Sequence, residues 1–194
     1  MSEAPARRLV IAIVGGASPA TASADLRCAE DLGRLLVDAG CAIVTGGMSG
    51  IMEAASRGGR SSDSCGDASV IGMLPSYDRT TANAYVQLAI PTGMQLARNA
   101  LVVAMADAVI AIGGGSGTLS EIALAWQLGK PVVALTSAEG WSAELAGRRL
   151  DTRFDTEVVG APDATQAAAA AIRLARSPRK EPGAVGSGWH GDAR

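Results

Sequence analysis

Three glycine clusters carry the first chemical signal in this chain: Gly15-Gly16, Gly46-Gly47 with Gly50, and Gly113 through Gly117. Each directly follows a short run of apolar, largely β-branched residues, so each falls where a buried strand ends. The third cluster reads Gly113-Gly-Gly-Ser-Gly-Thr-Leu-Ser-Glu121 and opens a helical segment. Backbone amides freed at a helix N-terminus, with no side chains in the way, form an anion site, and phosphate is the natural guest. The spacing Thr118-Leu-Ser-Glu121 has two readings. It is a capping box, in which Thr118 caps the helix and Glu121 reaches back to the cap's amide, or it sets a carboxylate one turn inside a phosphate-binding helix. Arg98 is equally ambiguous: an isolated helical arginine is usually solvated or ion-paired at a surface, yet this one lies in an otherwise apolar stretch. Glu53, after the second glycine cluster, is a weaker second carboxylate and by default a solvated helix residue.

Scarcity narrows the chemistry further. The only histidine, His190, sits in a polar, glycine-rich C-terminal stretch, so a Ser-His-Asp triad, a Cys-His dyad or a histidine-based metal site has no credible histidine. No metal site is expected. Lysine occurs only at Lys130 and Lys180, which leaves two candidates at most for Schiff-base chemistry. Cys28, Cys41 and Cys65 are odd in number and form no C-x-x-C; they read as reduced thiols, with Cys65 the one expected to be exposed.

With 17 basic and 19 acidic side chains the net charge is −2, and no basic block stands out. Nucleic acid and anionic membrane are therefore not expected as main partners. Aromatics are 3% of the chain, too few for a base-stacking platform. Asp107 interrupts the longest apolar stretch before it reaches the ~18 residues a membrane span needs. The apolar run after Arg7-Arg8 is too short for a secretion signal. A soluble, cytoplasmic protein is expected.

The elements that must position these residues alternate. Leu9–Val14, Cys41–Thr45, 68–74, 86–90, 108–112 and 131–135 read as strands, with a short one near Val158. Ser23 is a plausible cap for a helix carrying Leu26, Leu32, Leu35 and Leu36 and closing at Gly40. Further helices follow each glycine cluster and run over about 94–105 and 165–175, whereas 57–67 reads as a mobile Gly/Ser/Asp-rich loop. Leu101, Met105, Leu124 and Trp126 are core by default and could instead form an oligomer face. Strand–helix alternation implies an α/β fold: a single doubly wound, Rossmann-like parallel sheet with helices on both faces. One domain is expected over 1–176, with a disordered C-terminal tail over 177–194.

In such sheets ligands bind beyond the carboxyl ends of the strands, where the strand order reverses, and all three glycine clusters lie on that edge. NAD is disfavoured, because the first turn reads Gly15-Gly-Ala-Ser-Pro19 rather than G-x-G-x-x-G and the second strand ends at Thr45 with no carboxylate. A P-loop is disfavoured too, since no lysine follows a glycine cluster in that register.

The motif Gly113–Glu121, preceded by Gly93-Met-Gln-Leu-Ala-Arg-Asn99, resembles the signature of the LOG-like (Lonely Guy) superfamily, and Thr45-Gly-Gly-Met-Ser-Gly-Ile-Met-Glu-Ala-Ala55 resembles its other hallmark turn. The resemblance covers about Leu9 to Leu135. It implies that Gly114, Gly115, Gly117 and Thr118 hold a nucleotide phosphate, with Glu121 as the acidic residue and Arg98 as the arginine of an Arg-Lys pair. Two positions depart: the motif's proline is Gly113 and its lysine is Asn99. The wording looks more like the DprA/Smf-related branch, which includes molybdenum cofactor carrier proteins. The implied ligand set is Gly15, Gly16, Ser18, Gly46, Gly47, Gly93, Arg98, Asn99, Gly114, Gly115, Ser116, Gly117, Thr118 and Glu121. The implied partner is a phosphorylated small molecule, a nucleotide or a pterin. No cofactor is required, and the molybdenum cofactor would be a carried ligand. Relatives of this kind are usually homo-oligomers, dimers or tetramers.

Two functions stay open at this point. One is a carrier or binding protein for a phosphorylated heterocycle. The other is a phosphoribohydrolase that cleaves nucleoside 5′-monophosphates to free base and ribose 5-phosphate, with Glu121 and Arg98 as its catalytic pair. The older lysine decarboxylase label for the superfamily fails, because Lys130 precedes a strand and so lies at the wrong edge, and Lys180 is in the tail.

Overall fold

The structure is a computed structural model that describes residues 7–18 and 21–177. His190, Lys180 and nearly all of the expected tail lie outside those residues. Seven strands, β1 (Val10–Gly15), β2 (Ala42–Thr45), β3 (Val70–Leu74), β4 (Leu88–Pro91), β5 (Ala108–Ile112), β6 (Val132–Leu135) and β7 (Val159–Ala161), form one sheet in the order β4-β3-β2-β1-β5-β6-β7. Every pairing is parallel. The expected doubly wound α/β architecture is the observed one.

Helices α1 (Ser23–Asp38), α2 (Ile51–Arg60), α3 (Asn99–Met105), α4 (Ser116–Gln127), α5 (Trp141–Leu145) and α6 (Ala164–Arg176) complete the fold. A parallel sheet has to be covered on both faces, and the period-2 alternation of the strands shows which side chain goes where. Ile11 and Ile13 of β1 pack with Leu32 and Leu36 of α1, Ala54 and Ala55 of α2, and Ala167 and Ala171 of α6. Ala12 and Val14 point the other way, to Val102 and Val103 of α3 and Ile122 and Ala125 of α4. Trp126 is 4% exposed and donates its indole N–H to Asp151 at 2.8 Å, while Leu101, Met105 and Leu124 are half-buried against this second core. The core reading of that face therefore holds.

Several local expectations are corrected. Ser23 does not cap α1; the cap is Ala22, with no side-chain bond. The segment 57–67 is no free loop: Arg57–Arg60 complete α2, Ser62 is buried and bonds Asp38 at 2.6 Å, and Gln87 accepts from Val70 N at 3.0 Å and donates to Gly66 O. Cys65 is half-buried against the core rather than exposed. The helix expected over 94–105 begins as a 3-10 turn, Gln95–Arg98, with Gln95 at φ 49°. A short helix, α5, was not anticipated.

Close approach of α1 and α2 explains two glycines that look like helix breakers. A Cβ on Gly58 would lie 1.8 Å from Glu30 O, and one on Gly33 would lie 2.0 Å from Ala55 O. Both obstacles are backbone, so the helices would have to separate. Gly58→Val is expected to destabilise the protein by about 3 kcal/mol, measured as a lower urea midpoint. A change of less than about 0.5 kcal/mol would contradict this contact.

Candidate functional site

The chain builds β1 to β4 outward on one side, then returns to place β5 on the other side of β1. The strand order therefore reverses between β1 and β5, where Gly15 pairs with Ile112 at the carboxyl edge. The turns that begin at Gly16 and Gly113 leave from adjacent strand ends.

Gly113 and Gly114 adopt φ 55° and 85°, a left-handed turn that favours glycine, and Gly115 is the residue before α4. The first backbone bond of the helix runs from Leu119 N to Gly115 O at 3.0 Å, so the amides of Ser116, Gly117 and Thr118 precede it. A Cβ built on Gly115 or Gly117 meets no atom within 4 Å. The helix N-terminus is thus open on its outer side. It also settles the two readings of Thr118-x-x-Glu121. Since α4 starts at Ser116, Thr118 lies inside the first turn and no side chain caps the helix. The capping box does not form, and Glu121 is left free for another role.

That role is visible in its surroundings. Glu121 Oε1 lies 3.6 Å from Arg98 Nη1, with the two side chains 9% and 12% exposed. Arg98 Nη1 also donates to Asn99 Oδ1, and Asn99 Nδ2 donates to Ser120 Oγ at 3.2 Å. Arg98 Nε is buried with no hydrogen-bond partner. The guanidinium presses on the β2 turn: a Cβ on Gly46 would lie 2.3 Å from Arg98 Nη2. Burial pushes the Glu121 carboxyl up to about 7, with the nearby Arg98 charge pulling the other way. Burial likewise lowers the Arg98 guanidinium, offset in part by Glu121. An incompletely satisfied cation and a carboxyl poised near neutrality thus share the strand-end edge with the open amides.

The expected residues divide into groups. Arg98, Asn99, Thr118 and Glu121 converge with Gly46 and the Gly114–Gly117 segment. Gly15 is needed for packing, since a Cβ there would lie 2.7 Å from Ile112 O and 2.8 Å from Ile51. Gly47 packs on Leu74, and Gly93 lies under the Tyr77 ring. Gly16 and Ser18 belong to the β1 turn, on the α2 side. Ser142 was missed. It is fully buried, its Oγ accepts from Gly113 N at 2.7 Å and donates to Leu135 O at 2.9 Å, and the amides of Trp141 and Ser142 donate to Gly114 O and Gly113 O. α5 therefore clamps the glycine turn. Gly140, the residue before it, marks a fourth glycine turn after a strand, the one available signal.

Lys130 stands at the far edge, where its ammonium bonds Ala104 O at 2.9 Å and Ala106 O at 2.5 Å, at the C-terminal end of α3. It is no candidate for Schiff-base chemistry at this site. Cys28 is pushed up to about 11, chiefly by burial and then by neighbouring acidic groups, which makes it a poor nucleophile. Among the described residues no helix is long and apolar enough to cross a membrane.

A doubly wound parallel sheet with a glycine turn and a helix N-terminus at its switch point defines a Rossmann-like fold. More specifically, the chain belongs to the SLOG cluster4 family, whose model matches residues 8–167. It is 38% identical over 109 residues, 56% of this chain and 69% of the relative, to an uncharacterised protein of Archaeoglobus fulgidus. Two solved structures resemble it over nearly their whole length. The molybdenum cofactor binding protein of Rippkaea orientalis is 33% identical, with a TM-score of 0.74 over 87% of this chain and 98% of that one. The molybdenum cofactor carrier protein of Chlamydomonas reinhardtii is 29% identical, with a TM-score of 0.72 over 86% and 98%. DNA processing protein A of Helicobacter pylori, at 22% identity and a TM-score of 0.59, shares the fold alone. The LOG-like membership expected from the motifs agrees with the SLOG cluster4 match.

Proposed function

We propose that this protein binds a phosphorylated heterocycle, a molybdopterin-type cofactor or a nucleotide, as a carrier or binding protein. The observation that carries the reading is the open N-terminus of α4, where positions 115 and 117 have empty space in front of them. A phosphate there would accept from amides at the positive end of the helix dipole. Arg98, with an unpartnered buried Nε, would supply charge-assisted bonds. Similarity to two proteins named for molybdenum cofactor binding supports the pterin over other ring systems. The reading includes a homo-dimer or tetramer, supported by the highly exposed Tyr77 and Leu96 on the segments beside Arg98.

A second reading, phosphoribohydrolase, is favoured by one observation. Glu121 titrates near 7, so at neutral pH it can hold or release a proton beside a sugar phosphate. The two separate in a chromatographic assay against a panel of nucleoside 5′-monophosphates. The carrier reading expects binding with no free base released. Base release by the wild type that disappears in Glu121→Gln establishes the hydrolase instead.

A further inference from the structure

A cavity of about 280 Å³ opens beside the turns that leave β1 and β2, lined by Ser18, Leu26, Ser49, Gly50, Glu53 and Arg57 among others. Its floor is held by contacts between the two turns. Ile51 N donates to Gly16 O at 3.0 Å and Ser49 Oγ donates to Ala17 O at 3.3 Å. A Cβ on Gly50, at φ 68°, would lie 2.5 Å from Gly16 O. The two charged side chains in the wall are not equivalent. Arg57 is committed to Glu30 at 2.7 Å, with its guanidinium carbon 5.9 Å from the Tyr85 ring centroid. Glu53 makes no hydrogen bond or ion pair among the described residues.

We propose that this cavity takes the ring system of the ligand whose phosphate lies on α4. In it, Glu53 reads a paired donor edge: a ring N–H beside an exocyclic amino group, as in 2-amino-4-oxo pterins and guanine. The inference rests on the phosphate-binding reading above and adds what the ring must look like. An ionised carboxylate only accepts, and its two oxygens match two parallel N–H donors. Adenine presents a ring acceptor where the guanine edge presents a donor, which would set two acceptors against each other. A second phosphate is excluded from the cavity, because Arg57 is neutralised and Glu53 repels it. Neighbouring strands are about 4.8 Å apart, so along the sheet the β1 and β2 turns stand one and two strand spacings from the β5 turn, and the ligand would cross the strand ends from the α4 face to the α1–α2 face. Glu53 also sits in the first turn of α2, where the helix dipole favours an acid. A purely structural role of that kind has no bearing on ring selectivity, so selectivity is the readout.

The test is calorimetric titration of the full chain and of Glu53→Gln with guanosine 5′-monophosphate and adenosine 5′-monophosphate. The wild type is expected to prefer the guanine nucleotide by about tenfold or more. Glu53→Gln is expected to lose that preference, binding the guanine nucleotide more weakly and the adenine nucleotide at least as tightly as the wild type does. Equal affinities in the wild type, or a preference kept by Glu53→Gln, overturns the role of Glu53 and leaves the phosphate site standing. Failure of both nucleotides and of a phosphorylated pterin to bind overturns the phosphate site, and this inference with it.

Discussion

Gly115→Asp is expected to abolish binding of every phosphorylated ligand and to leave the protein folded. Position 115 has φ −100°, outside the left-handed region that favours glycine, and its Cβ would point into empty space. Aspartate is moreover among the best residues at a helix cap, where its carboxylate accepts from the second or third amide. Those are the amides assigned to the phosphate. The variant would thus fill the anion site with its own anion and repel the ligand's charge. Thermal unfolding should show a melting temperature equal to or above that of the wild type, while titration shows no binding. A Gly115→Asp protein that still binds phosphorylated ligands would remove the α4 N-terminus from the account.

Glu121→Gln is expected to change how stability depends on pH. The Glu121 carboxyl is raised from 4.5 to about 7 in the folded protein, so folding favours its protonated form. The resulting stability is fully present below pH 4.5 and is lost as pH rises through 7, on the order of 3 kcal/mol in all. Arg98 is the charged group facing it and already works against this shift, yet burial is the larger effect. A glutamine side chain at this position cannot ionise. In unfolding experiments the variant should match the wild type near pH 4 and become the more stable protein at pH 8. A constant difference between the two across that range would mean that Glu121 is ionised throughout, fully paired with Arg98.

The strands and their order of appearance were legible because buried parallel strands read as unbroken apolar runs, such as Val10–Val14 and Ala108–Ile112. Neighbours in the sheet were not, since nothing local in β5 says that it returns beside β1. Helix ends were harder. Whether α4 begins at Ser116 or at Leu119 depends on the turn that α5 and Ser142 clamp, across 29 residues of chain, and that choice decides whether Glu121 caps the helix or faces Arg98. α5 itself is five residues long, too short to show a period. The glycines were the most misleading signal. Gly58 and Gly59 look like a loop, yet they lie inside α2, and Gly58 is small because the α1 backbone passes against it. Gly46 looks like part of a phosphate turn, yet its hydrogen faces the Arg98 guanidinium. A sequence does not distinguish a glycine that admits a neighbour from one that leaves open space; of the third cluster, only Gly115 and Gly117 are of the second kind.

On the proposed reading, the N-terminus of α4 receives a phosphate. The most direct test is calorimetric titration of the wild type with a phosphorylated pterin and with the same pterin after its phosphate has been removed. Saturable binding of the phosphorylated form, with the other weakened by about a hundredfold or more, is the predicted result. Equal affinity for the two would show that the helix N-terminus takes no part, and would contradict the account.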